Sequence, residues 1–292
     1  MCRLFGFRSV IQSQVHRSLL SADNALAVQS QKHPDGWGVA YYHDNAPHVI
    51  KGVATAMEDQ IFRRVSGVVA SETVLAHIRK ATTGEVNILN SHPFQFGRWV
   101  FAHNGQIANY REVKEQLRDE IAPTLRRYVL GDTDSEILFY LFMSNLITRV
   151  DMSRRGAPVA EVCQALLDTV TFVADLADGR GEAPEDRSKL TCIVTDGHTM
   201  AAVKFRLQLF YSTHKTRCLD RDSCPYLAPE CEQPSTNGSV NHLILSSEPL
   251  QGENVWTSME DGEVVGVNWR MKLFQSNEST PLLRKMCEQG AC

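Results

Sequence analysis

The sequence predicts an α+β fold in which antiparallel sheets stack on each other and carry helices on their outer faces. Short apolar runs of strand length come first, then helix-length segments, then short strands again, an order that does not wind as regular βαβ units. A chain of 292 residues with 43% hydrophobic content can bury a substantial core, and that length permits one large domain or two small ones. The polar segment 178–188 resembles a linker, but the strands after it are too short and too few for a second core. The chain therefore reads as one domain over 1–292, with a surface insertion around 216–239 and a C-terminal tail from about 272.

Residues 2–8 read as the first strand, and the apolar spacing from Ser18 to Val28 is helical. The loop His33-Pro34-Asp35-Gly36 turns into a second strand, Trp37 to Tyr42, and Asp44-Asn45-Ala46-Pro47 closes a hairpin with His48 to Lys51. Strands are expected at Val74 to Ile78, Arg98 to Ala102 and Thr191 to Thr195. Helices are expected at Asn109 to Arg118, Asp134 to Arg149 and Pro158 to Leu176, the second with Asp134 and Glu136 where the helix dipole favours negative charge. Beyond Asp196-Gly197, short strands follow at Met200 to Phe205, Leu209 to Thr213, His242 to Ser246 and Glu263 to Trp269. No internal repeat is present.

A net charge of −4 without any long basic run argues against a nucleic-acid partner. The N-terminus lacks a basic n-region and a small-residue cleavage site, and no apolar run nears the ~20 residues that cross a bilayer. The expectation is a globular, soluble, cytoplasmic protein with no membrane partner. None of the eight cysteines forms a CxxC pair, so most are expected reduced, and the spacing of Cys218, Cys224 and Cys231 fits an ordinary surface insertion better than structural zinc.

Cys2 carries the sharpest chemical signal. A small side chain behind Met1 permits removal of the initiator, which would leave a thiol and a free α-amine on one residue. The amine, with an ordinary pKa of ~7.7–8.0, can take the proton of a thiol near ~8.5 at cellular pH, so nucleophile and base come from one residue. The alternative is that Cys2 merely opens an apolar strand.

Further motifs add to it. In His77-Ile78-Arg79-Lys80-Ala81-Thr82, Arg79 ends an apolar strand, either facing water or offering a planar fork to a carboxylate. In His103-Asn104-Gly105-Gln106, Asn-Gly marks a turn or, alternatively, an oxyanion hole, because the Asn104 amide and the Gly105 N–H can point at one oxygen. Gly131-Asp132-Thr133-Asp134-Ser135-Glu136 crowds three carboxylates at a helix start; Asp132 reads as the helix cap, and one of the others could bind an ammonium. Asp35-Gly36-Trp37-Gly38 reads as close packing that supports the frame rather than the chemistry.

Taken in order, Cys2 after Met1, Arg79-Lys80-Ala81-Thr82-Thr83-Gly84, Ser91-His92-Pro93-Phe94, His103-Asn104-Gly105 and Thr133-Asp134-Ser135-Glu136 resemble a class II glutamine amidotransferase domain of the N-terminal-nucleophile hydrolase superfamily. The resemblance implies a four-layer αββα sandwich, a Cys2 nucleophile and a pocket for the free amino-acid end of a glutamyl substrate. It places Arg79 on the α-carboxylate, Asp134 on the α-ammonium, Asn104 and Gly105 on the oxyanion, and Thr82 and His103 along the substrate pocket. Lys80 and Thr83 stand where the sugar-isomerising amidotransferases carry Trp and His, which leaves the substrate preference open. No residues remain for a synthase domain, and Asp35-Gly36-Trp37-Gly38 with Ser246-Ser247-Glu248-Pro249-Leu250 resembles the stand-alone branch that includes γ-glutamyl hydrolases.

The expected reaction is therefore hydrolysis of the γ-glutamyl amide of glutamine or a γ-glutamyl compound through a thioester on Cys2, releasing glutamate, with no metal or organic cofactor. The alternatives are a glutaminase subunit delivering ammonia to a separate synthase partner, and an inactive binding module with the same fold.

Overall fold

The structure, a computed structural model, describes residues 2–15, 17–179, 183, 185–219, 221–222 and 224–276. β1 (Arg3–Gln14) leads through a π-helical segment (Arg17–Ser21) and α1 (Leu26–Gln29) into β2 (Trp37–His43), β3 (Ala46–Gly52), α2 (Gln60–Val68) and β4 (Ala70–Ile78). β5 (Phe94–Phe96), β6 (Trp99–Gln106), α3 (Tyr110–Glu120), α4 (Asp134–Leu146) and α5 (Val159–Ala177) follow. The chain then runs through β7 (Lys189–Thr195), β8 (Met200–Val203), β9 (Phe210–Ser212), β10 (His242–Ser246), β11 (Thr257–Ser258), β12 (Val264–Val267) and β13 (Leu273–Gln275).

The strands form two sheets, ordered β11-β9-β10-β1-β4-β2-β3 and β13-β12-β8-β7-β6-β5, and every strand pairing among the described residues is antiparallel. Period-2 alternation sorts their side chains into layers. Leu4, Ala40 and Leu75 from the first sheet meet Val100, Ala102, Ile193 and Ala202 from the second. On the outer face of the first sheet, Phe5, Phe7, Trp37, Val39, Val74 and Ala76 pack on Leu26 of α1 and on Phe62 and Val65 of α2. On the outer face of the second, Phe101, Cys192, Val194 and Ala201 pack on α3, α4 and α5. Three apolar layers between four sets of elements make an αββα sandwich. No helix among the described residues is long and apolar enough to cross a membrane.

α4 shows why the sequence carried its helix so clearly. Nearly every residue from Asp134 to Met143 is buried, because one side lies on the second sheet and another on α5. Its N-cap is Thr133, whose hydroxyl accepts the Glu136 N–H at 3.3 Å. That corrects the expectation that Asp132 caps the helix: Thr133 has the extended backbone of a cap, φ −82° and ψ 148°, while Asp132 is exposed one residue outside.

Other differences follow from tertiary contact. The expected helix over 18–28 splits into the π-helical segment and the four-residue α1. α2, which the sequence reading did not include, is an amphipathic helix capped by the Asp59 carboxylate on the Ile61 N–H at 2.8 Å. The same carboxylate accepts the buried Trp37 indole N–H at 2.9 Å, tying α2 to β2. The C-terminal tail begins later than 272, since Leu273–Gln275 pair with β12; its remainder, with Cys287 and Cys292, lies outside the described residues. In the 216–239 segment, Cys218, Cys224 and Cys231 are free thiols, and the Cys231 carbonyl accepts the Lys215 N–H at 2.8 Å.

Two histidines are buried in the frame without charge. His77 shares the inter-sheet face of β4 with Leu75 and lies 4.1 Å, ring to ring, from His92. Neither ring has a hydrogen-bond partner among the described residues. Burial, and then the neighbouring histidines, push His77 down to about 3 and His92 well below its ordinary value; the His103 backbone opposes this at His77 without reaching hydrogen-bonding geometry. The unfolded chain therefore binds protons that the folded one refuses. This stability is present above the unfolded value of ~6.5 and is lost as pH falls below it, by about 2 kcal/mol per histidine between pH 7 and 5. Urea unfolding at the two pH values should show the loss, and His77→Gln should reduce it by about 2 kcal/mol; an unchanged difference in that variant would exclude His77 as a source.

Candidate active site

The site forms where the ends of β1, β4 and β6 meet. β1 is central in its sheet and pairs with β4 in the register Arg3↔Ile78, so Cys2 lies beside the chain leaving β4. The Lys80 backbone N–H donates to Cys2 Sγ at 3.1 Å, and the thiol reaches the Lys80 carbonyl at 3.3 Å. Lys80 thus acts through its backbone, and its side chain is exposed.

Burial raises the Cys2 thiol, and the Asp134 charge adds to the rise. The Lys80 N–H bond and the Arg79 charge oppose it. Cys163 and Cys192 have nothing comparable: both are fully buried and pushed up by desolvation alone.

Asn104 and Gly105 stand within β6 rather than in the turn that Asn-Gly usually signals. Antiparallel pairing with β7 continues through Gln106↔Lys189 and holds them extended. Asn104 Nδ2 donates to the Cys2 carbonyl at 2.9 Å, while its Oδ1 is buried without a partner among the described residues. Gly105 has φ +133°, and a Cβ there would fall 1.8 Å from the Lys189 carbonyl oxygen, so no other residue fits this strand crossing.

Arg79 is buried, and its fork is in use. Nη1 donates to the Glu85 carbonyl at 3.1 Å, and Nη2 to those of Thr83 at 3.1 Å and Gly84 at 3.4 Å. The guanidinium gathers the loop after β4 around itself, lies in the fields of Cys2, Asp35 and Asp134, and has its own pKa lowered by burial. A bidentate carboxylate contact would have to share or replace those loop bonds. Thr82 is exposed on the same loop.

Asp134 is buried at the start of α4, its carboxylate accepting the Ile107 N–H at 2.8 Å and the Ser135 N–H at 2.9 Å. His103 faces α4, with Nδ1 2.9 Å from the Ser135 hydroxyl and Nε2 2.9 Å from the Lys189 carbonyl. The carbonyl can only accept, so Nε2 carries the proton and Nδ1 accepts from Ser135. Both nitrogens are then spent on the frame.

The structure therefore brings Cys2, Asn104, Arg79 and Asp134 together, keeps Gly105 beside them in β6, and leaves Thr82 and His103 at the margin. Several neighbours had no role in the sequence reading. Arg3 Nη1 donates to the Cys2 carbonyl at 3.4 Å and Nη2 pairs with Glu248 at 3.0 Å, while the Ser247 hydroxyl accepts the Leu4 N–H at 3.1 Å. His33 is buried, with both ring nitrogens unpartnered among the described residues; burial, then the charge of Arg3, holds it down at about 4. The Ser246-to-Leu250 run was visible as a motif; His33 looked like an ordinary turn residue. Among the described residues no group of three or more His, Cys, Asp or Glu side chains could hold a metal ion.

Known proteins resemble this arrangement. A solved glutamine aminotransferase class-II domain protein from Silicibacter pomeroyi superposes with a TM-score of 0.61 over 94% of this chain and 99% of its own, at 19% identity, which shows a shared fold. The Saccharomyces cerevisiae protein named Probable glutamine amidotransferase DUG3 is 30% identical over 259 residues, 80% of this chain and 69% of its own length. A Mycobacterium tuberculosis gamma-glutamyl-hercynylcysteine sulfoxide hydrolase is 33% identical over 117 residues, 37% of this chain and 50% of its own. The family model described as glutamine amidotransferases class-II matches residues 1–207, which is well over half of the sequence. With the sandwich, the motifs and the family model in agreement, the chain belongs to the class II glutamine amidotransferases.

Proposed function

We propose that the protein hydrolyses the γ-glutamyl amide of a γ-glutamyl compound, with Cys2 as nucleophile once Met1 is removed. The observation that carries this reading is the convergence on Cys2: a thiol held by the Lys80 backbone, an amide donor from Asn104 at 2.9 Å, and the buried charges of Arg79 and Asp134 beside it. The hydrolase named among the relatives favours water over a second substrate as acceptor.

In this scheme the Cys2 amine takes the thiol proton, directly or through one water, and Sγ attacks the side-chain carbonyl carbon. Asn104 Nδ2 and the Gly105 N–H receive the negative charge that develops on oxygen. The C–N bond breaks as the ammonium returns its proton to the leaving nitrogen, which leaves a γ-glutamyl thioester. Water then adds to the thioester with the amine again as base, releasing glutamate and restoring the thiol. Because burial raises the thiol, little free thiolate exists before substrate arrives, and coupling proton removal to attack is what the nearby amine supplies. Arg79 and Asp134 select the α-carboxylate and α-ammonium of the glutamyl half.

If so, active material should begin at Cys2 by intact mass, and material that keeps Met1 should be inactive, its amine being tied in an amide. Cys2→Ala and Cys2→Ser should abolish glutamate release while leaving the circular dichroism spectrum unchanged; turnover by either removes Cys2 from the mechanism.

Asn104→Ala should lower kcat by ~10²–10³-fold, about 3–4 kcal/mol, with a smaller change in KM, because an oxyanion donor acts mainly in the transition state. Arg79→Lys should raise KM first, since an ammonium cannot reproduce the fork. Steady-state kinetics with an N-acetylated γ-glutamyl substrate give the decisive comparison for Asp134: an unchanged kcat/KM would mean that no carboxylate reads the α-ammonium.

A further inference from the structure

The Asp35-Gly36-Trp37-Gly38 run reads in sequence as packing, yet its first residue is bonded around the segment whose backbone meets the Cys2 thiol. The chain leaves β4 at Ile78 and continues Arg79-Lys80-Ala81. Lys80 gives both of its backbone polar groups to Cys2 Sγ, so the direction of the thiol depends on where the two peptide units that flank Lys80 stand.

The residues on either side of Lys80 are fixed by Asp35 and Gly36. The Arg79 N–H donates to the Gly36 carbonyl at 2.8 Å, and the Asp35 N–H to the Arg79 carbonyl at 3.2 Å. These two bonds extend the β2–β4 ladder past the end of both strands. On the far side, the Ala81 N–H donates to Asp35 Oδ2 at 2.8 Å. Gly36 makes this possible: its φ of +126° turns the chain, and a Cβ there would fall 2.8 Å from the Gly52 carbonyl oxygen. Without the Asp35 side chain, Lys80 would be anchored only through Arg79, at the start of a loop whose Thr82 is exposed.

We infer that Asp35 is a positioning residue for the nucleophile: its carboxylate holds the Ala81 N–H, and so keeps the Lys80 peptide against Cys2 Sγ. It touches neither the thiol nor a reacting atom. This rests on Cys2 being the nucleophile, and it assigns work to a residue outside the expected site. An alternative role would be electrostatic, since Asp35 also lies in the field of Arg79. The two roles differ in what Asn can replace: an Asn amide oxygen still accepts the Ala81 N–H, but it carries no charge.

The test follows the rate of Cys2 alkylation by iodoacetamide against pH, read by mass spectrometry, together with kcat and KM for glutamate release. Asp35→Ala should move the alkylation midpoint upward by about half a pH unit or more, because the peptide after Lys80 is released and the N–H donor to sulfur is then steadied from its Arg79 side alone. It should also lower kcat by about tenfold or more, with KM changed less than threefold. Asp35→Asn should recover most of both. Hydrogen exchange of the wild-type protein offers a readout that needs no variant: the Ala81 amide should be protected. The inference is overturned by an unshifted alkylation profile in Asp35→Ala, by Asp35→Asn behaving like Asp35→Ala, or by an Ala81 amide exchanging at the rate of an open loop. Failure of the Cys2 reading itself would appear separately, as turnover by Cys2→Ala, and the alkylation profile does not depend on that result.

Discussion

The antiparallel pairing of β1 with β4 is the constraint on which the site depends. The register Arg3↔Ile78 places Cys2 just beyond the ladder, opposite the chain that leaves β4, and from there the Lys80 peptide is the nearest backbone to the thiol. A slip of one residue would exchange the faces of Leu4 and Phe5, taking one from the inter-sheet core and the other from α2. The register is therefore protected by two hydrophobic layers at once. β10 holds the other edge of β1, and its continuation to Ser247 and Glu248 bonds Leu4 and Arg3, so Cys2 stands between two supported backbones.

The second sheet completes the site from the opposite side. β6 must pass close to β7 for Asn104 to reach the Cys2 carbonyl, and the absent Cβ at Gly105 is the condition for that approach. His103 and Asp134 secure the same strand to α4: the histidine through Ser135, the aspartate through the N–H of Ile107 just past the end of β6. Charges that appear in sequence as ligand-binding groups are thus also fastenings. Arg79 is the clearest case, because the guanidinium that would meet a carboxylate also holds the loop after β4 by three carbonyls. A substrate carboxylate arriving there would act on the loop as well as on the charge.

Burial sets the electrostatics throughout. It raises the Cys2 thiol and lowers His33, His77 and His92, so burial favours the uncharged form of each of these groups.

Much of this was legible in the sequence, for a physical reason. Short, nearly continuous apolar runs marked β4, β6 and β7, because strands buried on both faces carry apolar residues at successive positions, and acidic residues at its start marked α4. Cys2, Arg79, Asn104 and Asp134 were identifiable from the motifs that hold them, and the order of those motifs carried the family. What the sequence could not hold is anything that depends on which segments meet. Lys80 contributes only backbone, which every residue possesses, so no pattern could mark it; Asp35 differs from any turn aspartate only by the Ala81 N–H that tertiary structure brings to it. The cap on α4 fell to Thr133 rather than Asp132 because one residue's backbone angles decided it, and His103 turned to the frame because α4 placed Ser135 beneath it. The sequence by itself determined the family, the layer pattern and the reactive groups, since these are properties of residues and their spacing. The tertiary structure alone decided which of those groups face the thiol and which brace the strands, because that depends on hydrogen bonds between segments as far apart as Cys2 and Asn104.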